Sequence, residues 1–414
     1  EFVKAMAEYN EGMKIIAVGD DDQNIFEFRG SSSEHMKSFI TDFEAGYYEL
    51  LENYRSAANI VAFSNAFARF LTRRLKQYEI RPHRKDPGTV KVYQYSGSDL
   101  ISPLVESVAR NFSAEDIGIL TEENDDASLI SGLLNDRGIP ARLIQSTDGF
   151  APTNLYELRY FMEQIGIGEE PHAISKESWK KAREALGEKF KESSVLGLCN
   201  NLLDTFEENN SGTKYKSDFH VFLRESELAD FYNHRKGTVT VSTIHKAKGR
   251  EFSTVYLMLK NGVPVSDEGR RKVYVALTRA KDNLIIHCNG RFFERLPGPG
   301  VEIVHIDRVY PAPHVHMMQL SFKDIYLDQA FTCQDSIEKL VSGMKLQVDG
   351  RGCYDMEGDM VLRFSKQFIN EMRRLELKGY RLASALIRYI AYWKKDEIDR
   401  EIKIILPDVY FERV

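Results

Sequence analysis

Six short apolar runs punctuate the middle of this chain: VKVYQY from Val90, DIGIL from Asp116, ARLIQ from Ala141, TVTVST from Thr238, TVYLML from Thr254 and NLIIHC from Asn283. Helical periods fall between them, near Leu100 to Asn111, Ala127 to Arg137 and Glu268 to Ala280. Near-continuous apolar strands that alternate with helices satisfy themselves only in a parallel sheet covered on both faces. The alternation therefore predicts an α/β fold. With 414 residues, 43% of them hydrophobic, the chain can bury cores in two to four domains.

Residues 18 to 31, VGDDDQNIFEFRGS, carry the first chemical signal. Met13 to Val18 reads as a buried strand whose carboxyl end delivers the polar loop that Gly19 and three aspartates begin, the place where open α/β sheets set their ligand chemistry. Gln23 both donates and accepts hydrogen bonds without charge, which suits a group that bridges a phosphate oxygen and a water. Phe26 and Phe28 face one side if the segment is extended, and a base stacked on each is worth roughly 1–3 kcal/mol. The alternative for the two rings is an ordinary place in the core.

Three further segments belong with this run: LENYRS at 51–56, VTVSTIHKAKGREF at 239–252 and VYVALTRAK at 273–281. In this order the four resemble motifs III to VI of superfamily 1 DNA helicases of the UvrD, Rep and PcrA type. The resemblance covers roughly residues 1 to 290. It implies a RecA-like P-loop NTPase second domain, ATP and Mg2+ as cofactors of the full-length protein, and single-stranded or partly duplex DNA as partner. It also implies site roles: Gln23, Arg55 and Arg279 at the γ-phosphate, Tyr54 on adenine and Glu251 on the ribose. Phe26, Phe28, Arg29, Thr243 and His245 would meet DNA. Arginine suits the phosphate roles because its planar fork stays charged and binds phosphate bidentately. Without the motifs, Arg279 would read as a surface ion pair and His245 as a structural histidine.

The sequence holds no G-x-x-x-x-G-K-[ST] loop and no D-E-x-x-D segment, so no metal ligands are assigned. The expectation is the carboxyl-terminal portion of an ATP-dependent DNA helicase, excised just after the magnesium-binding pair and inactive by itself. A non-catalytic helicase-fold module that binds nucleic acid or protein is the second class kept open.

A net charge of −6 excludes DNA binding through the whole surface, so any contact is a local groove. The basic set Arg73, Arg74, Lys76, Arg81, Arg84 and Lys85 reads as a solvated helix end and linker rather than a DNA track. Four scattered cysteines without C-x-x-C spacing read as reduced thiols. No apolar run is long enough for a membrane helix, and a cytoplasmic place is expected.

Expected organisation follows the punctuation. Residues 1–52 are the end of a first RecA-like domain, with helices at 1–9 and 33–43 and strands at 13–18 and 47–51. Residues 53–150 and 237–295 form the second RecA-like domain, its first helix spanning Ala57 to Gln77. Residues 151–236 are a reduced helical insertion, at the position where the family carries its accessory 2B domain. A proline-rich linker at 296–314 leads to a small β-barrel-like tail at 315–414. That tail holds sixteen basic and sixteen acidic residues, which favours a protein partner over a DNA arm.

Overall fold

The computed structural model describes residues 2–10, 12–26, 30–32, 34–72, 74–112, 116–144, 150–228, 231, 238–296, 298–395 and 400–414. The chain divides into two compact units, residues 1–98 with 247–309 and residues 99–246 with 310–414. Elements are numbered along the whole chain.

The first unit contains helices α1 (Phe2–Tyr9), α2 (Glu34–Asp42) and α3 (Ala58–Ala68), the two-residue pair β1 (Glu52–Asn53) and β2 (Arg81–Pro82), and strand β3 (Thr89–Tyr95). After the excursion through the second unit come β9 (Phe252–Leu259), α10 (Asp267–Leu277), β10 (Ala280–Asn289) and β11 (Val301–Ile306). The strands β11, β3, β10 and β9 pair in that order and are all parallel. Val90, Val92, Val255, Leu257, Leu284 and Ile286 bury one face of these strands, and Tyr256, Met258 and His287 bury the other face of β9 and β10. Ser266 caps α10 by accepting from the Gly269 amide, and Asp267 and Glu268 in its first turn complement the helix dipole.

The second unit contributes α4 (Ile101–Arg110), β4 (Ile117–Thr121), α5 (Asn124–Asp136) and β5 (Ala141–Ile144), then the helical insertion α6 (Tyr156–Gln164), β6 (Ala173–Ile174), α7 (Lys176–Lys189), α8 (Leu196–Asn209), β7 (Lys214–Tyr215) and α9 (Lys216–Glu225), and then β8 (Val239–Thr243). β4, β8 and β5 are parallel, which makes seven parallel strands in the RecA-like α/β layers of the chain. The tail adds β12 (Val315–Gln319), α11 (Gln334–Glu338), β13 (Lys345–Val348), β14 (Gly352–Tyr354), β15 (Met360–Arg363), α12 (Lys366–Leu377), β16 (Tyr380–Lys394) and β17 (Glu401–Arg413). These strands form one antiparallel sheet, ordered β12, β17, β16, β13, β14, β15. Register shifts at Leu382/Ser384 and Ile387/Tyr389 bend the long β16–β17 ladder and curl it. Insertion and tail bury their side chains in one cluster, from Phe150 to Phe231 and from Leu320 to Phe411.

Three local expectations fail. Met13–Val18 and Tyr47–Leu51 are not strands, and Ile16, Val18, Tyr48 and Leu50 are 83–90% exposed. A parallel strand needs neighbours on its edges; among the described residues no strand pairs with Met13–Val18, and Tyr47–Leu51 meets β2 only at its last residue, where the Arg81 amide donates to Leu51 O. The helix expected to Gln77 ends at Ala68. Beyond it the Thr72 amide donates to Asp267 and the Leu75 amide to Asp21, so carboxylates satisfy backbone groups that a helix would otherwise use. The four cysteines are free and buried, and burial pushes the Cys288 and Cys353 thiols up to about 12.

Candidate nucleotide-phosphate site

The polar loop after Val18 closes into a single 3₁₀ turn, Asp21–Gln23, capped by Asp20, whose side chain accepts from the Asp22 amide. Its three carboxylates are held from the strap at 72–76. Arg74 makes a two-point contact with fully buried Asp22, at 2.9 and 2.7 Å. Lys76 reaches Asp20 at 2.6 Å. Buried Arg271, from α10, donates to the Asp21 carbonyl, to Thr72 O and to Asp267. The basic set read as a solvated helix end is therefore corrected for three members. Arg74 and Lys76 clamp this turn, while Arg84 donates to the carbonyls of Arg55 and Lys281 and to Asp282. Arg81 and Lys85 are exposed, and Arg73 lies outside the described residues.

This scaffold fixes Gln23. Its Nε2 donates to Asp20 at 2.8 Å, and its Oε1 accepts from Arg279 Nη2, also at 2.8 Å. Arg279 does not lie late in a helix, as the periodicity predicts: α10 ends at Leu277, and Arg279 sits between that end and the start of β10, where its carbonyl accepts from Phe252. The guanidinium is 2% exposed and donates to the carbonyls of Val275 and Arg250, to Gln23 and to the Thr278 hydroxyl. All four acceptors are neutral. Among the described residues no carboxylate forms an ion pair with it, and burial, with Arg55 beside it, pulls its pKa down to about 10.

Arg55 stands at the lip of the same cluster. Its Nε is 2.5 Å from Glu251, whose other oxygen is 2.8 Å from Lys281. The two cations, Lys281 foremost, hold the Glu251 carboxyl below its usual range. Gly249, at φ +88°, makes the turn that brings Glu251 here, a conformation other residues adopt only with strain. Tyr54 is 64% exposed, stacks on His83 at 4.3 Å between centroids and donates to Glu52. The structure thus brings Gln23, Arg55, Arg279, Glu251 and Tyr54 into one unit.

The expected DNA contacts divide. Phe26 is half-buried with the Lys248 ammonium 5.0 Å from its ring centroid. Phe28 and Arg29 lie outside the described residues. Thr243 ends β8 in the second unit and His245 follows in the turn beyond it; Thr243 is buried, and the Ile244 amide between them donates to Thr121 O. Sequence reasoning missed Asp20, Arg74, Lys76, Arg271 and Lys281. Asp20 and Lys281 lay inside the four motif segments, while Arg74 and Lys76 lay in the basic set that reads as solvated and Arg271 in a helical period.

The family model of the UvrD-like helicase C-terminal domain matches residues 48–166 and 169–290. The chain belongs to the UvrD-like helicases. Residues 1–44 of this UvrD-like chain match the model of the UvrD/REP helicase N-terminal domain. DNA helicase II of Haemophilus influenzae is 22% identical over 71% of the chain and 56% of its own length, and that of Escherichia coli 21% over 73% and 58%. The Gabija protein GajB of Bacillus cereus is 25% identical over 66% of the chain and 58% of its own length. The chain thus spans a little over half the length of these curated relatives. A crystal structure of the C-terminal domain of a possible DNA helicase from a Lactobacillus matches 61% of the chain and 98% of its own, at 14% identity and a TM-score of 0.31.

Proposed function

We propose that this chain is the carboxyl-terminal portion of an ATP-dependent DNA helicase, in which Gln23, Arg55 and Arg279 recognise the γ-phosphate and couple its hydrolysis to movement along single-stranded DNA. One observation carries the reading: Arg279 is buried among neutral acceptors, with a second arginine close by. A buried charge that no carboxylate contacts directly is costly, and Asp20 and Glu251 offset that cost only in part, from a distance. An anion that arrives in front of Arg279 relieves that cost, and a phosphoryl group spreading negative charge in its transition state relieves it most.

The donor set fits a polyphosphate: two guanidinium forks and an amide that can turn between donor and acceptor. Bound there, ATP would supply the phosphoryl group whose transfer to water drives the cycle. The chain's residues do the rest. Asp20 fixes the Gln23 amide through Nε2, so Oε1 is the atom offered towards Arg279 and an incoming water. The carboxylates of the turn do not fit magnesium, since Lys76, the Leu75 amide and Arg74 already occupy Asp20, Asp21 and Asp22.

The DNA side of the reading rests on Phe26 for base stacking, with Phe28 and Arg29 beside it in sequence, and on Thr243, the last residue of β8, and His245 just beyond it for the backbone. The chain by itself, without phosphate-loop and Asp-Glu sequences, is expected to bind ATP weakly and not to turn it over. The test is DNA-stimulated ATP hydrolysis by the full-length protein with Arg279→Ala. A fall of about 10³-fold or more is expected from the loss of such a finger, and unchanged hydrolysis overturns the assignment.

A further inference from the structure

We infer that Lys281 is a positioning residue for phosphate recognition: it holds one oxygen of Glu251 so that Glu251 can orient Arg55 without closing its fork. This rests on the reading above, in which Arg55 meets the γ-phosphate.

A carboxylate facing an arginine settles into a two-point contact when nothing else competes for its oxygens, because two parallel charge-assisted bonds are stronger than one. Arg74 and Asp22, nearby in the same unit, do this, with Nε on one oxygen and Nη2 on the other. Arg55 and Glu251 do not. Glu251 gives Oε2 to Arg55 Nε at 2.5 Å, and its Oε1 is 2.8 Å from Lys281 Nζ instead. Among the described residues the terminal nitrogens of Arg55 are left with one long contact, 3.4 Å from Nη1 to the Thr278 carbonyl. Arg55, Glu251 and Lys281 have side chains 38%, 40% and 32% exposed, so the outer edge of the fork stands at the surface of the cluster.

The backbone keeps this three-body arrangement in place. Ser56 Oγ donates to Ala280 O at 2.7 Å, the Ala57 amide donates to Lys281 O at 2.8 Å, and Arg84 Nη1 bridges the carbonyls of Arg55 and Lys281. Gly88 lets the strands close here, since a Cβ at that position would stand 2.5 Å from that of Ala57 and 2.8 Å from Asp282 O. The roots of Arg55 and Lys281 are therefore fixed relative to one another, with Glu251 between their side chains. Support of this kind, one layer behind the contact group, is what sets the precision of a recognition site.

Glu251 thereby acquires a role besides the ribose contact expected from resemblance. With Lys281 absent it is free to take both Nε and Nη2 of Arg55, and the fork that should face phosphate is then occupied. ADP and ATP share the ribose and differ by the γ-phosphate, so the ratio of their affinities separates the two roles.

The test uses the full-length protein and measures kcat/KM for ATP and the inhibition constant for ADP. Lys281→Met is expected to lower kcat/KM for ATP tenfold or more and to change ADP inhibition less than twofold, and Lys281→Arg should restore most of the loss. Adding Glu251→Gln to Lys281→Met should recover discrimination between ATP and ADP, because the competing carboxylate is gone. An unchanged ratio in Lys281→Met, or a double variant no better than it, overturns the inference. Arg55→Ala is the separate control: if it too leaves the ratio unchanged, the reading of Arg55 as a phosphate contact fails, and the inference with it.

Discussion

Residues 1–54 and the joined insertion and tail both carry many large apolar side chains, and they spend them in opposite ways. In the first stretch α1 and α2 bury none of their residues, Phe2, Tyr9, Ile16, Val18, Tyr48 and Leu50 are 77–90% exposed, and among the described residues Ile25 is the single apolar side chain fully enclosed. In the second, α6 to α9 and the six-stranded tail sheet close one core around Phe161, Trp179, Phe206, Phe219, Ile390 and Phe411. The runs MKIIAV and VKVYQY are alike in length and apolar character. Only VKVYQY has β10 and β11 on its edges. An apolar run states that a segment can be a strand, and neighbours decide whether it is one.

The sharpest test of this contrast lies in the shared core. Phe161 is fully buried and meets Trp179 edge-on at 5.0 Å and Phe219 at 5.6 Å. Phe161→Ala is expected to cost about 3–5 kcal/mol, and the loss should appear in insertion and tail together as one chemical unfolding transition. Two transitions, with the tail unmoved, would show that the core is divided.

A smaller effect concerns Asp408, on β17 in the tail. Burial lifts its pKa to about 6, opposed by Arg388 at 3.6 Å. The sign follows from linkage: a carboxyl whose folded value exceeds its unfolded value adds stability that is complete below the unfolded value, near 3.8, and is lost as pH rises through about 6. The stretch between those values should carry up to about 3 kcal/mol of pH-dependent stability. Urea midpoints across it should fall with rising pH more in the native protein than in Asp408→Asn. Parallel curves would remove Asp408 from the account.

The smallest expected effect is at the exposed end of the comparison. Ile16→Lys and Val18→Lys should each shift the unfolding free energy of this chain by less than about 0.5 kcal/mol, as surface substitutions do. A loss above about 1 kcal/mol in the same denaturation curve would mean that the run is packed after all.

Legibility from sequence followed the same division. The parallel strands of both units and the residues Gln23, Arg55, Glu251 and Arg279 could be read because each is announced locally, by an apolar run or by a motif with fixed spacing. Arg74, Lys76 and Arg84 could not, since a run of basic residues after a helix looks solvated until a distant carboxylate or carbonyl is brought to it. Arg279 was found by its motif but misplaced on its element, because the helical period runs smoothly to Leu277 and nothing nearby marks the capping turn at Thr278. The strand expectations at 13–18 and 47–51 failed for want of partners, which no local pattern reports.

The bond from Ser56 to Ala280 joins residues 224 positions apart in the chain. During synthesis at roughly 5–20 residues per second, ten seconds or more pass between the emergence of Arg55 and that of Arg279 and Lys281. Until then a growing chain cannot bring the two arginines together. Order of manufacture alone keeps the two-arginine cluster unmade until more than two hundred further residues have emerged.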